Sequence, residues 1–545
     1  MGAIAIDFGS SNTAIARWNV VSNQPETLRI PDLSRTQPHD FLIPSLVYLQ
    51  DAMQGHAEIG QIVINRGKDI ENPRFFDQLK RRLSTATGYI PELDGVKVTP
   101  EFVGQLFLDR IFSCLRSQQI PLTEVIFTVP VQSYERYLRW LENCMSEFSA
   151  AQPHPSGNLQ VRLLDEPTAA ALGYAIAQPN SLVLVIDFGG GTLDLALVRT
   201  PRTENLSEWG EYLGKVDSDS SQSGDRELSS DRKVEVIAKT GQVLGGEDIN
   251  RWLLEDYLSN HEIEGASRNS HLLLSLMERV KIGLSTEDSA SEVFFDIEKQ
   301  EIHDILYTRS QLEEILKKRG FYQVLQVAID ELVKRAFSKG ILKGEIKHIL
   351  LVGGSTLIPS VRAVIARNFP LATLHTDKPF EAVAHGALML NHGTKVQDHL
   401  FHSYAIRYWD RQLEQWQYQP LFLRGQTYPT RYPYEIFLRA SQPDQESIEL
   451  VIGELEKRVS GSAEIIFDGD RLVTKIESAA SEVFLALGEN EAPQAIARLD
   501  PLGQPGSDRL QVLFEISEQR ELLITAIDLA TQKKLIANQS VAKLR

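Results

Sequence analysis

Hydrophobic and polar positions follow one pattern over most of the chain and another near its end. Up to about residue 395, short runs rich in apolar residues alternate with helical stripes. The runs include Ile43–Tyr48, Glu124–Val129, Leu182–Ile186, Leu193–Val198, Val234–Lys239 and His348–Val352. A short apolar, β-branched run bounded by turn residues predicts a strand covered on both faces. Thr99-Pro100-Glu101 predicts a helix start, with Thr99 as N-cap and Pro100 at the first helical position. Phe102, Leu106, Ile111 and Leu115 then mark its buried stripe. Ala57 to Ile70 also reads as helical, and Leu272 to Leu284 as an amphipathic helix. From Ser403 onward the period becomes two, in Tyr404–Tyr408, Tyr434–Leu438, Ile448–Ile452, Ala463–Phe467, Leu510–Ile516 and Leu522–Asp528. Alternation with turn residues between predicts an antiparallel β-sandwich. The expected fold class is therefore α/β followed by all-β.

One device occurs twice in the first part. Ser181 to Arg199, SLVLVIDFGGGTLDLALVR, reads as strand, glycine turn, strand. Ala3 to Ala16, AIAIDFGSSNTAIA, repeats it. Asp7 corresponds to Asp187, and Gly9-Ser10-Ser11-Asn12 stands where Gly189-Gly190-Gly191-Thr192 stands. Glycines at such a turn allow positive φ and bring backbone N–H groups close to an anion. A single glycine-rich hairpin is also what any tight turn looks like. Two copies suggest two related lobes, each presenting a phosphate hairpin and an acidic residue. Further glycine turns follow at Gly245-Gly246-Glu247 and at Gly353-Gly354-Ser355.

These motifs, with LLDEPTAAALGY, LGGEDIN, LLVGGSTLIP and EAVAHGA, occur in the order found in the DnaK-type seventy-kilodalton heat-shock chaperones, the Hsp70 family, which the chain resembles as a divergent member. The resemblance implies a two-lobed actin-like (ribonuclease H-like) ATPase domain over residues 1–395. It implies slow hydrolysis of ATP to ADP with Mg²⁺, and admits K⁺ beside it. By this resemblance Lys80, in NPRFFDQLKRRL, reaches the γ-phosphate; on its own, Lys80-Arg81-Arg82 equally suits a solvated helix face. Glu166, Asp187 and Thr192 complete the catalytic set. Asp7, Asp187 and Glu166 hold the metal mainly through water, and Ser10 and Thr192 add hydroxyls to the cradle. Glu278, Lys281 and Ser285 match the positions that contact ribose and adenine. Pro130 and Arg136 match a relay between nucleotide and substrate domains, although a proline here also simply ends a strand.

Three positions depart from the family: Ile282, Leu357 and Phe380 replace two arginines and an aspartate at the base site. An apolar sandwich around the base is expected there, with loss of about 0.5–2 kcal/mol per missing cation–π contact. A polar, Ser/Asp-rich stretch over about 200–232 reads as a surface insertion. Residues 396–402 stand at the interdomain linker, with Asp398, Leu400 and Phe401 partly keeping its character. Residues 403–545 resemble the family's β-type substrate-binding domain and leave no room for a helical lid. Phe437, Leu450 and Ile452 are expected in the sandwich core.

The 545-residue chain carries net charge −17, which argues against a nucleic-acid surface. Its 42% hydrophobic content is ordinary for a globular protein. Cys114 and Cys144 form no disulfide framework, and a reducing cytoplasm is the expected setting. No apolar run reaches the roughly 20 residues of a membrane span. The function expected is an ATP-dependent chaperone for unfolded polypeptide segments, served by J-domain and nucleotide-exchange partners. A member that binds nucleotide or a partner with little turnover stays open, as do a small-molecule kinase and an actin-like filament protein.

Overall fold

The computed structural model describes residues 2–544 except 37–38, 69–70, 85–89, 132–134, 152–158, 176–179, 201–232, 262–269, 297–299, 393–394, 401, 411–412, 469–470 and 488–493. The expected 200–232 insertion therefore lies outside the described residues beyond Thr200. The chain divides into two compact units, Met1–Val396 and Gln397–Arg545.

The first unit contains two sheets of the same plan. In the first, β1 (Ala3–Phe8), β2 (Asn12–Asn19), β3 (Gln24–Thr27), β4 (Glu124–Val129) and β5 (Gln160–Asp165) are ordered β5-β4-β1-β2-β3. In the second, β6 (Leu182–Phe188), β7 (Leu193–Arg199), β8 (Lys233–Gln242), β9 (His348–Val352) and β10 (Thr373–His375) run β10-β9-β6-β7-β8. Strand senses match too: β1 is parallel to β4 and antiparallel to β2, as β6 is parallel to β9 and antiparallel to β7. The repeated sequence device is thus a repeated sheet.

Helices cover these sheets: α1 (Leu79–Ser84), α2 (Pro100–Ser117), α3 (Glu135–Ala151), α4 (Glu166–Ala175), α5 (Gly246–Asn260), α6 (His271–Thr286), α7 (Phe321–Phe337) and α8 (Ala382–Ala387). Thr99 caps α2, its hydroxyl accepting from Phe102 N at 3.2 Å. The buried stripe of α2 is Val103, Phe107, Ile111 and Leu115, while Phe102 and Leu106 are only half-buried. The expected stripe is therefore right from Ile111 onward and rotated before it.

Each Asp-Phe-Gly turn buries its phenylalanine as an anchor. Phe8 packs on Phe107 at 5.5 Å between ring centroids, and Phe188 on Phe321 at 5.5 Å. The opposite faces carry small residues, Ala5, Ala14 and Ala16 on one sheet and Val183, Val185 and Ala196 on the other. They form one core with α4 and α8. Small side chains let those two helices approach closely: a Cβ on Gly386 would lie 1.7 Å from the Ala169 carbonyl oxygen.

Residues 57–70 do not form one helix. His56–Ile59 is a strand and Gln61–Asn65 a short helix, because Gly60 adopts φ 68° between them. A left-handed residue breaks the helical path whatever the apolar spacing.

The second unit is all β, with two antiparallel sheets sharing a core. One holds β12 (Ser403–Asp410), β13 (Gln415–Phe422), β16 (Gln445–Asp468) and β17 (Arg471–Ala486), with β18 (Gln494–Gly503) paired to β16. The other runs β15 (Tyr434–Arg439), β19 (Asp508–Ile516), β20 (Glu521–Asp528), β21 (Lys533–Lys543). Tyr404, Leu450 and Ile452 from the first meet Val512, Phe514 and Ile524 from the second. Phe437 is 51% exposed and faces away from that core, correcting its expected burial. Where a linker is expected, β11 (Lys395–His399) forms a strand, whose Asp398 and His399 pair with β14 (Thr427–Tyr428). Phe401 lies outside the described residues. Among the described residues no helix is long and apolar enough to cross a membrane.

Candidate functional site

The turns after β1 and β6 face one cavity of about 210 Å³. Asp7, Gly9, Ser10 and Asn12 line it from the first turn, and Asp187, Gly189, Gly191 and Thr192 from the second. Lys80 of α1, Glu166 at the start of α4, and Gly353 and Gly354 after β9 complete the wall, with Pro130 and Phe380. Most of these stand at or next to the end of a strand or the start of a helix, where the chain leaves regular structure.

The glycines are there for close approach. A Cβ on Gly9 would lie 2.3 Å from the Asn12 carbonyl oxygen, and one on Gly245 2.0 Å from that of Gly190. Gly353 has φ 82°, and its Cβ would meet the Phe188 oxygen at 2.4 Å. The start of α5 docks on the second turn, with Gly246 N donating to Gly189 O at 3.0 Å and Glu247 N to Gly190 O at 2.9 Å. The second hairpin, the start of α5 and the end of β9 are thus packed backbone to backbone, while the Gly9 turn closes on its own Asn12.

Charge is concentrated and buried. Lys80 and Glu166 form an ion pair in which both side chains are 8% exposed. Burial lowers the Lys80 pKa, but Glu166, Tyr137 and Asp7 outweigh it and leave it above the ordinary lysine value. Asp7 is pushed up to about 6 by burial and by Glu166, against Lys80 and a hydrogen bond from Thr128. Asp187 is raised well above its ordinary value by burial, Glu166 and Asp7. Three carboxylates on one small cavity repel each other, and one ammonium does not offset them. Asn12 Oδ1 is a buried atom without a hydrogen-bond partner at the same wall. Among the described residues no group of three or more His, Cys, Asp or Glu side chains is placed to hold a metal ion by itself.

Beside this wall lies a second group of the expected residues. Lys281 Nζ donates to Gly246 O at 3.0 Å, Ser355 Oγ to Gly189 O at 2.9 Å, and Ser285 Oγ to Lys281 O at 3.1 Å. Burial pulls the Lys281 pKa down, while Glu278 and Glu247 push it up. Ser11 Oγ is 3.5 Å from Glu247 Oε1. Glu278, Lys281, Ser285, Gly245, Gly246, Glu247, Gly190, Ser11 and Ser355 are thus adjacent to the cavity and not on its lining. Arg136 lies in α3, and its side chain is outside the described residues.

Further residues of the site escape a reading of motifs. Thr128 Oγ1 donates to Asp7 Oδ1 at 2.9 Å, a contact set by the β1–β4 register and marked by no local pattern. Asp194 accepts from Val131 N at 3.1 Å and is pushed up to about 7 by burial and Glu166. Its only sequence signal is its place just after the glycine turn. Arg81 reaches Asp248 at 3.0 Å and Glu247 at 3.6 Å, linking α1 to α5. Adjacency to Lys80 is the clue to it.

An Hsp70 protein family model matches residues 155–203 and 230–401. The chain is 26% identical over 422 residues to the chaperone protein DnaK of Thermus thermophilus, an alignment covering 71% of this chain and 60% of that protein. It is 26% identical over 410 residues to DnaK of Deinococcus radiodurans, covering 71% and 58%. The chain thus spans about 60% of the length of the curated relatives it matches.

Proposed function

From the chain's place in the Hsp70 family, as a divergent member, we infer that it is an ATP-dependent chaperone whose first unit hydrolyses ATP and whose second unit binds unfolded polypeptide segments. The observation that carries this reading is the cavity where both Asp-Phe-Gly turns, Lys80 and three carboxylates meet. Its residues fit a nucleotide with Mg²⁺. The raised Asp7 and Asp187 values ask for a cation, and the glycines of both turns stand on the cavity wall beside Ser10 and Thr192, a setting that suits phosphate oxygens. Carboxylates that do not gather into a direct ligand set suit Mg²⁺, which keeps several of its waters.

The γ-phosphoryl group and its Mg²⁺ supply the electrophile and the charge that offsets the carboxylates. Gly9–Asn12 and Gly189–Thr192 bind phosphate oxygens through backbone N–H groups and the Ser10 and Thr192 hydroxyls. Lys80 stabilises negative charge on the transferring group and is itself positioned by Glu166. Asp187 or Glu166 accepts a hydrogen bond from the attacking water. Glu278, Lys281 and Ser285 hold the nucleoside end. The two lobes of the actin-like domain change their closure with nucleotide, Pro130 and Arg136 relay that change, and J-domain and exchange-factor partners in the cytoplasm tune it.

A second reading, nucleotide binding with little turnover, is favoured by the base site. Ile282 is 52% exposed where the resemblance expects a stacking arginine, and Phe380 lines the cavity. Steady-state ATP hydrolysis with Mg²⁺, with and without an unfolded peptide and beside Lys80→Ala, separates the two. Turnover that rises with peptide and vanishes in the variant supports the chaperone. Nucleotide binding without turnover above the variant overturns it and leaves a nucleotide-binding scaffold.

A further inference from the structure

A second gathering of polar side chains lies on the edge of the second sheet, and none of its members lines the nucleotide cavity. His348 opens β9 and His375 closes β10. These strands are parallel, with Thr373 opposite His348 and His375 opposite Leu350. The two histidines are therefore diagonal neighbours on one face of the sheet. Tyr174, near the end of α4, packs against the core that Leu350 enters from that face.

The three side chains converge on one atom. Tyr174 Oη lies 2.7 Å from His375 Nε2, and His348 Nδ1 lies 3.3 Å from the same nitrogen. A neutral imidazole nitrogen carries either one hydrogen or one lone pair, so it serves one in-plane partner. Two partners at one nitrogen exceed that capacity. A cation between the three atoms would serve all of them at once.

The spacing suits this. Two nitrogens on a tetrahedral Zn²⁺ with bonds of about 2.0–2.1 Å stand roughly 3.3 Å apart, which is the His348–His375 separation. The phenol oxygen would move outward by roughly 0.5 Å to complete such a set. Burial, and then His348, hold the His375 pKa below its ordinary value. Asp377, exposed two residues beyond, acts electrostatically on both His375 and Tyr174 and adds negative charge beside the trio.

We propose that Tyr174, His348 and His375 form a binding site for a borderline-soft divalent cation, Zn²⁺ in the first instance. Two imidazoles and a phenolic oxygen select this class over Mg²⁺ or Ca²⁺, which prefer carboxylate, carbonyl and water. The ion would tie α4, which begins at Glu166, to β9, which ends one residue before Gly353. The site is distinct from the Mg²⁺–nucleotide cavity, and it would stabilise the fold around it as any ligand of the native state does.

The test is equilibrium dialysis of the full chain against Zn²⁺ in excess Mg²⁺, repeated with His375→Gln and His348→Gln. Circular dichroism checks that each variant is folded. One Zn²⁺ per chain is expected for the unaltered protein, with affinity falling at least about 10-fold in each variant. Tyr174→Phe is the milder third variant and weakens binding less. If the unaltered chain retains no Zn²⁺, or binds it equally well in both histidine variants, the trio is a hydrogen-bonded cluster and the proposal fails.

Discussion

Lys80 and Glu166 form a buried ion pair that joins a short helix beside the first sheet to the helix that begins directly after β5. Lys80 is the positive charge that acts on both Asp7 and Asp187, against the repulsion of Glu166. Lys80 is a structural partner of Glu166, and the proposed function also makes it an electrostatic partner of a phosphate. Those two roles separate experimentally.

Lys80→Ala is expected to abolish hydrolysis and to cost about 3–5 kcal/mol of stability, the usual effect of leaving one buried charge unpaired. Adding Glu166→Gln removes that orphaned charge, so the double variant regains much of the stability and none of the activity. Urea unfolding beside a phosphate-release assay reads both. A double variant as unstable as Lys80→Ala would mean the pair has no shared structural role.

Glu247 gives a pH signature. It is buried at the start of α5, facing Arg81, Asp77, Glu278, Lys281 and Ser11, and its pKa is pushed up to about 8, chiefly by burial. A raised folded pKa means stability fully present below the ordinary glutamate value and lost as pH rises through about 8. The melting temperature of the unaltered chain without nucleotide should fall between pH 5 and 9 more than that of Glu247→Gln. Parallel curves for the two proteins would contradict the assignment.

The two hairpins were legible because the signal is local. An apolar run ending in Asp-Phe-Gly leaves few backbone options, and the phenylalanine shows where the turn is anchored. Most of the glycine, carboxylate and lysine positions read from motifs do face one cavity. What motifs do not encode is the register between distant strands, which alone brings Thr128 to Asp7. Gly60 hides in a helical pattern and ends it, because its left-handed φ is invisible in apolar spacing. Ile448–Ile452 and Ala463–Phe467 read as two strands around Gly461, yet β16 runs unbroken, with Gly461 opposite Ser478. Pairing with β17 carries the backbone across the interval between the two alternating stretches. Phe437 fits the inward alternation of β15 by type, and faces solvent because Tyr434, Ile436 and Leu438 take the core side.

Gly386 tests the tight crossing of α4 and α8. A Cβ there would fall 1.7 Å from Ala169 O, a backbone atom that cannot swing away. Gly386→Ala should therefore cost about 3 kcal/mol, the upper part of the overpacking range. The same exchange at Gly344, where nothing lies within 4 Å, should be nearly neutral. Thermal unfolding of the two variants side by side gives the answer, and equal effects would show that the helices separate without penalty.

A strand, β11, stands where the resemblance places a linker. Asp398 is 1% exposed within the second unit. Tyr428 Oη donates to it at 2.6 Å, and Arg520 Nη2 lies 3.3 Å away. Arg520 Nε in turn donates to Tyr428 Oη at 2.7 Å, closing a triangle between β11, β14 and the turn before β20. Each member is held by the other two, so removing one charge strands another. Asp398→Asn should destabilise the second unit by about 3 kcal/mol, as when a buried charge loses its partner, and Tyr428→Phe by about 1–2 kcal/mol, as for a buried hydrogen bond. Hydrogen exchange of the β19 and β20 amides in the full chain measures this without interference from the first unit. Faster exchange there in Asp398→Asn, with ATP hydrolysis unchanged, would place residues 397–400 in the second unit's folded core. Unchanged exchange would mean that β11 leaves the sandwich without consequence and serves as a connector only.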